Sequence, residues 1–233
     1  MRGFFGWLVL LVALGAAAYV LAPIVVRPLV ADAVRAASPF GTEPIEVDVE
    51  VSDLGLVRGT IDRIHVTGAN LSADRLRIGS LDVTANGVGI VDHAFGSMTG
   101  TLDAVVLRRG DGTEIQAREV RLAGPSDEVE ATATIGRAAA LEIIRRALEG
   151  AGLPTGNLAL INGGVRLTVL GQPTDIALRA VDGALAIAGS IAGGGSLVVF
   201  GPEPGDPWRI TGVTVSPDGL EVDALLDLGS LLR

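Results

Sequence analysis

The chain contains no cysteine and no lysine. Without cysteine there is no disulfide, no thiolate metal ligand, no cysteine nucleophile and no lipidated-cysteine anchor. All 18 cationic residues are arginine, set against 27 carboxylates for a formal net charge of -9. So acidic a chain, with its cations scattered, is unsuited to neutralising nucleic-acid phosphates, and nucleic acid is excluded as a partner. Histidine occurs only as His65 and His93, too few for a histidine-rich metal site, and aromatic residues make up 3%. No G-x-S-x-G elbow, P-loop, H-E-x-x-H pair or G-x-G-x-x-G is present, so the sequence offers no catalytic residues, no metal site and no cofactor. Gly193-Gly194-Gly195-Ser196 opens no helix and reads as a flexible turn.

What is present begins with an apolar run. Phe4 to Val26 holds 23 residues without a charge, bracketed by Arg2 and Arg27 and carrying Trp7 and Tyr19. About 20 such residues span a bilayer core. A cleaved signal peptide would need a shorter apolar region ending at small residues, a site that Ala16-Ala17-Ala18 could serve, but the run continues past it to Val26. Residues 1–26 are therefore expected to be a transmembrane anchor, with a signal peptide as the alternative. The expected localisation is the membrane, single-pass, N-terminus cytoplasmic and the bulk of the chain extracytoplasmic. Residues 27–44 read as a short helix, Pro28 to Ala37, and a linker.

From residue 45 the period is two. Ile45, Val47, Val49 and Val51 alternate with Glu46, Asp48 and Glu50, and Val129, Ala131, Ala133 and Ile135 alternate with Glu130, Thr132 and Thr134. Similar runs recur to Leu226, among them Ile61 to Val66, Leu76 to Val83, Leu102 to Leu107, Ile115 to Leu122 and Val165 to Leu170. Asn86-Gly87, Asp111-Gly112, Asn162-Gly163, Asp182-Gly183 and Asp218-Gly219 are hairpin signals. GTIDRIHV from Gly59 resembles GTLDAVVL from Gly100, which fits a repeated two-strand unit or the shared grammar of amphipathic hairpins. One segment breaks the period: Arg137 to Gly150 puts Ala140, Leu141, Ile144, Ala147 and Leu148 on one helical stripe. The fold class is mainly β with one central amphipathic helix (α+β), a curled antiparallel sheet wrapped on the helix over residues 45–233, preceded by an N-terminal transmembrane helix.

A lining of Val, Ile, Leu and Ala suits either a closed aliphatic core or a groove for acyl chains. Asp92-His93 is half of an acid/base pair without a third member. His65, between Ile64 and Val66, points to the wet face of its strand.

The order Gly59-x-Ile61-Asp62-x-Ile64-x-Val66, then Leu76-x-Ile78-Gly79-Ser80-Leu81-Asp82-Val83, a strand Val129 to Ile135 running into the helix, and a late Val215-Ser216-Pro217-Asp218-Gly219-Leu220 turn resembles the LmeA-type family of actinobacterial envelope proteins. The resemblance implies a phospholipid-binding protein, exported or membrane-tethered, associated with building envelope lipoglycans, with a tubular lipid-binding-like fold. Ser52 to Gly59 departs from the Pro-Phe-Leu-like stretch expected before the first glycine. The expected function is a membrane-tethered extracytoplasmic lipid carrier or sensor, not an enzyme, whose partners are a phospholipid or related lipid, the membrane and an envelope protein. The candidate lipid-lining residues are Ile64, Val66, Leu76, Ile78, Leu81, Val83, Leu141, Ile144 and Leu148. The alternative is a non-enzymatic structural or interaction module with a solid core.

Overall fold

The computed structural model describes residues 28–29, 31–33, 35, 45–73, 75–89, 94–108, 112–188, 196–203 and 206–227. The apolar run from Phe4 to Val26, His93 and Gly193-Gly194-Gly195 lie outside them. Among the described residues no helix is long and apolar enough to cross a membrane. In chain order the elements are β1 (Ile45–Glu50), α1 (Asp53–Arg58), β2 (Thr60–Ala73), β3 (Leu76–Gly89), β4 (Phe95–Arg108), β5 (Glu114–Gly124) and β6 (Val129–Gly136). They continue as α2 (Arg137–Gly150), β7 (Asn157–Ile161), β8 (Gly164–Val169), β9 (Gln172–Val181), β10 (Ala184–Ala188), β11 (Ser196–Phe200), β12 (Trp208–Ser216) and β13 (Gly219–Leu226). Helical residues before β1 begin at Pro28 and include Arg35.

The strands form two antiparallel sheets. The larger has eight strands in the order β1-β2-β3-β4-β5-β6-β13-β12, and the smaller five in the order β11-β10-β9-β8-β7. The helix α2 lies between them. Ala140, Ile143, Ile144 and Leu148 of α2 share one buried cluster with Leu160, Val165, Leu167, Ile176, Leu178, Leu185, Ile187 and Phe200 of the smaller sheet and with Ile135, Ile210, Val215, Leu220 and Val222 of the larger. Of the stripe read from the sequence Ala140, Ile144 and Leu148 are buried and Leu141 leans on the cluster, Ile143 joins them, and Ala147 stays half-buried outside it. An amphipathic helix of fourteen residues cannot bury a stripe alone, and here both sheets close on it.

The ends of α2 are set by backbone chemistry. Gly136, in extended conformation, supplies no side-chain cap. Instead the Arg137 N–H donates to the Asp218 carbonyl at 2.9 Å, tying the helix start to the β12–β13 turn. At the other end Gly152 takes φ +70, its N–H donates to Glu149, and the Leu153 N–H reaches back to the Leu148 carbonyl at 2.9 Å. This is the double hydrogen bond of a Schellman motif, and Leu153 packs on the same cluster as Leu148.

Strands β2, β3 and β4 each run fourteen residues, about 46 Å at 3.3 Å per residue. They bend along a line that crosses the sheet. Asn70 (φ +54) lies opposite Gly79, and Ala104 (φ +49) lies on the other side of Gly79. A Cβ on Gly79 would sit 2.9 Å from the Ala104 Cβ, so only glycine fits there. At this line the alternation of side chains changes phase. Gly68 is followed by Leu71, Ile78 by Leu81, Leu102 by Val105 and Ala117 by Val120, each three residues apart instead of two. The Leu71 methyls lie about where a Cβ on Gly68 would point, within 3.0–3.1 Å, and Val105, Ala117 and Val120 all meet the same cluster. One apolar face thus continues through the bend.

Asn86-Gly87 is a correction: it lies inside β3, where Gly87 takes φ +63, and joins no hairpin. The blocks beginning at Gly59 and Gly100 are not equivalent either, since Gly59 is a turn residue with φ +70 ahead of β2 and Gly100 sits in mid-β4 under Val83. β7 was not legible as a strand in the sequence. The curl of the larger sheet shows in a cleft of about 240 Å³ lined both by Trp208 of β12 and by Arg75 just before β3, Leu107 and Arg108 at the end of β4 and Ile115 at the start of β5.

The bend predicts a coupled pair. Gly79→Ala should cost about 1–3 kcal/mol by crowding Ala104, measured by urea denaturation. Ala104→Gly should leave stability unchanged or raise it by relieving the positive φ. In the double variant the cost of Gly79→Ala should largely vanish, a coupling that two independent sites would not show.

Candidate functional site

The apolar face of the larger sheet is closed at two places and open between them. At one end α2 and the smaller sheet cover β5, β6, β13 and β12. At the other, Ala31 from the helical residues ahead of β1 packs with Val49, Val51 and Ile61, against which Val47, Ile64 and Val88 lean. Next to α1 the Asp62 carboxylate accepts a hydrogen bond from the Ser52 N–H, and the Gly55 N–H donates to Ser52 Oγ at 3.1 Å, which holds this end together.

Between the two closed regions lies a strip carried by β2 to β5. Its rows follow the strand register: Ile64, Ala85, Met98, Gly124; then Val66, Val83, Gly100, Leu122; then Gly68, Leu81, Leu102, Val120. Val66, Leu81, Val83, Met98, Leu102 and Leu122 are half-buried and belong to neither cluster. Three interstrand spacings and four residues along a strand give the strip dimensions of roughly 14 by 13 Å. It contains no titratable side chain. Beside the bend lies a cleft of about 440 Å³ lined by Ala104, Val105, Gln116, Ala117, Arg118, Gly136 and Ala139, among others. The Arg118 guanidinium lies where a Cβ of Gly136 would fall, Nε at 2.7 Å, so the absent side chain makes room for it.

The reverse face of the same strands is polar. A trough of about 870 Å³ there is lined by Thr67, Ser80, Asp82, Thr84, Thr99, Thr101, Asp103, Arg121 and Ala123, with atoms of Leu81, Gly100 and Leu122 from the intervening strip positions also reaching it. His65 bonds Asp82 at 3.0 Å on that face, as its position between Ile64 and Val66 predicts, and Ser80 Oγ donates to Asp103 at 2.7 Å. Perturbed carboxylates also lie off the strip. The Arg108 guanidinium, hydrogen-bonded to Glu114, holds that carboxyl below its ordinary range. Arg146 does the same for Glu142, and Arg166 for Asp175. All three are exposed partners of arginine, the signature of surface ion pairs. Among the described residues no group of three or more His, Asp or Glu is placed to hold a metal.

The structure distributes the nine lining residues named from the sequence over three settings. Val66, Leu81 and Val83 stand together on the open strip, with Ile64 at its edge. Leu76 and Ile78 lie on β3 beyond the bend, Leu76 half-buried and Ile78 3% exposed. Leu141, Ile144 and Leu148 are on α2, where Ile144 and Leu148 are 0% exposed and close-packed against the smaller sheet, and Leu141 leans on the same cluster. Sequence reasoning missed Met98, Leu102 and Leu122. Their signal was available: they occupy alternate positions on β4 and β5, Met98 opposite Ala85, Leu102 opposite Leu81 and Leu122 opposite Gly100 in the row of Val83, but register is a property of pairing that no single strand reveals.

A model of the family described as LmeA-like phospholipid-binding matches residues 17–224. The chain belongs to that family. The matched span takes in the smaller sheet, α2, the strip and the larger sheet up to Ala224 within β13. No curated relative and no solved structure gives a significant match.

The two settings predict different responses to truncation in this LmeA-like fold. Ile144→Ala, in the closed core, should cost about 2–5 kcal/mol in urea denaturation. Leu81→Ala, on the open strip, should cost clearly less, because a half-exposed side chain loses less transfer free energy and leaves no cavity.

Proposed function

We propose that the protein is a membrane-tethered, extracytoplasmic phospholipid carrier or sensor of the cell envelope, without enzymatic activity, and that acyl chains lie on the strip of β2 to β5. The observation that carries this reading is the strip itself: a continuous apolar surface, free of titratable groups, left open between two closed cores in a member of a phospholipid-binding family. Such a surface has no hydrogen-bonding requirement for a hydrocarbon to violate. An acyl chain of about 14–16 methylenes gains about 0.8 kcal/mol for each one fully buried, so even one-sided cover supplies several kcal/mol before ordering costs. The 23-residue uncharged run from Phe4 to Val26 supports the tether, since a bilayer span needs about 20 such residues. Envelope partners would meet the polar face or a free strand edge.

The reading is tested by native mass spectrometry of the full chain released from detergent, followed by lipid extraction. One phospholipid per protein is expected, and Leu81→Asp together with Leu102→Asp should abolish it with the circular dichroism spectrum intact. Thr84→Asp on the reverse face should retain it. A lipid-free mass after incubation with vesicles would overturn the carrier reading and favour an interaction module with a solid core.

A further inference from the structure

The β8–β9 hairpin tip differs from its sister in one residue that the fold does not ask for. Leu170-Gly171 turns with φ +51 and +80, and Asp182-Gly183, joining β9 to β10, turns with φ +50 and +79. In this two-residue turn both central positions need positive φ, which Asn, Asp and Gly adopt at little cost and a leucine does not. Leu170 is nevertheless there, and it is 99% exposed, against 65% for Leu54, the next most exposed large apolar side chain among the described residues. It gains no packing in return for the strain.

The surroundings of Leu170 are equally particular. From Leu167 to Thr174 the chain carries no ionisable side chain. The bounding pair, Arg166 and Asp175, is closed on itself by two parallel hydrogen bonds of 2.7 and 2.8 Å. The tip therefore leaves water without desolvating an unpaired charge, and its register is locked at the base by a bidentate pair. The β7–β8 and β9–β10 turns face β12, through Gly163 N–H to Val215 and Ile210 N–H to Gly183, so the β8–β9 tip projects from the opposite end of the smaller sheet.

We propose that this tip is a membrane contact: Leu170 enters the acyl boundary of a phospholipid bilayer while Thr168 and Gln172 stay among the headgroups. It is a site separate from the strip. The choice of a bilayer over a protein pocket rests on the phospholipid-binding reading, and the test separates the two.

The absence of native cysteine makes single-site labelling direct. Gln172→Cys, carrying an environment-sensitive fluorophore, is placed in the full chain and reconstituted into vesicles of phosphatidylcholine and phosphatidylglycerol. Blue-shifted emission and quenching by a lipid-borne nitroxide are expected. Adding Leu170→Asn should shift the inserted-to-free ratio of the tip about tenfold toward water, with an unchanged or higher melting temperature because Asn accepts the positive φ. A water-like label with Leu170 present, or quenching indifferent to Leu170→Asn, overturns the proposal. So does quenching by a nitroxide on a second copy of the protein and not by the lipid-borne one, which assigns the tip to a protein partner. The pair Leu81→Asp and Leu102→Asp, which removes carried lipid, should leave the tip signal intact. Loss of bound lipid with a quenched tip, or the reverse, then shows which of the two readings fails.

Discussion

A β-strand presents its side chains to alternate faces, so a long strand that bends sharply must either give up its apolar face at the bend or reset the alternation. The strands β2 to β5 reset it, along the line through Asn70, Gly79 and Ala104. Positive φ at Asn70 and Ala104 and the missing Cβ at Gly79 make one constraint together: the two backbones approach until a methyl on Gly79 would overlap that of Ala104. Everything on the inner side follows from it. Beyond the line Val105, Ile115 and Ala117 join the core around α2 and Leu71 and Ile78 are buried, while before it Val66, Leu81, Val83 and Leu102 remain on the strip. Had the alternation run on unchanged, Val105 and Ala117 would face solvent and the core would lose one of its walls.

The division into closed and open apolar surface is also a division of labour. The core around α2 is covered on both sides and fixes the geometry; its buried leucines and isoleucines cannot be reached by a ligand without unfolding. The strip lies outside both clusters: the core around α2 reaches β4 only at Val105, and the helical residues near Ala31 close only the far end. A binding surface on rigid strands, with stability drawn from elsewhere, can be occupied and vacated without the fold changing. That arrangement separates the residues that hold the fold together from those of the surface proposed above for acyl chains.

The sequence disclosed the period of two, the helix and its stripe, and hairpins wherever Asn or Asp preceded Gly at a true turn. It misled at Asn86-Gly87, where the same dipeptide bends a strand internally. It was silent at Leu170-Gly171, which closes a hairpin without a polar residue, so that the run from Val165 read as strand through Leu170, one residue past the end of β8. The phase slips between Ile78 and Leu81 and between Leu102 and Val105 were visible as letters. Their meaning needed the neighbouring strand, because a slip in one strand reads as an interruption and only aligned slips in four strands read as a bend. The same holds for the candidate lining. Val66, Leu81 and Val83 were named from amphipathicity, whereas Ile144 and Leu148 were named for a stripe that has two possible covers, lipid or protein. Here a second sheet supplies the cover, and no local pattern in Arg137 to Gly150 could have distinguished them.

The reverse face of the larger sheet is as polar as the strip is apolar. There Arg63 pairs with Glu50 and Asp48, Arg121 with Glu119 and Glu221, and His65 with Asp82, across strands whose alternate residues build the strip. Each exposed pair contributes little to stability. Their effect is on specificity: shifting a strand by one residue would carry these charges onto the apolar side and the valines into water, a cost multiplied along every paired residue. The arginine-only cation set suits this role, since one guanidinium reaches two carboxylates at once: Arg63 those of Asp48 and Glu50 on β1, Arg121 those of Glu119 on its own strand and Glu221 on β13. Charge on one face and hydrocarbon on the other are therefore a single constraint on register, and the open strip is the part of that pattern that the rest of the chain does not cover.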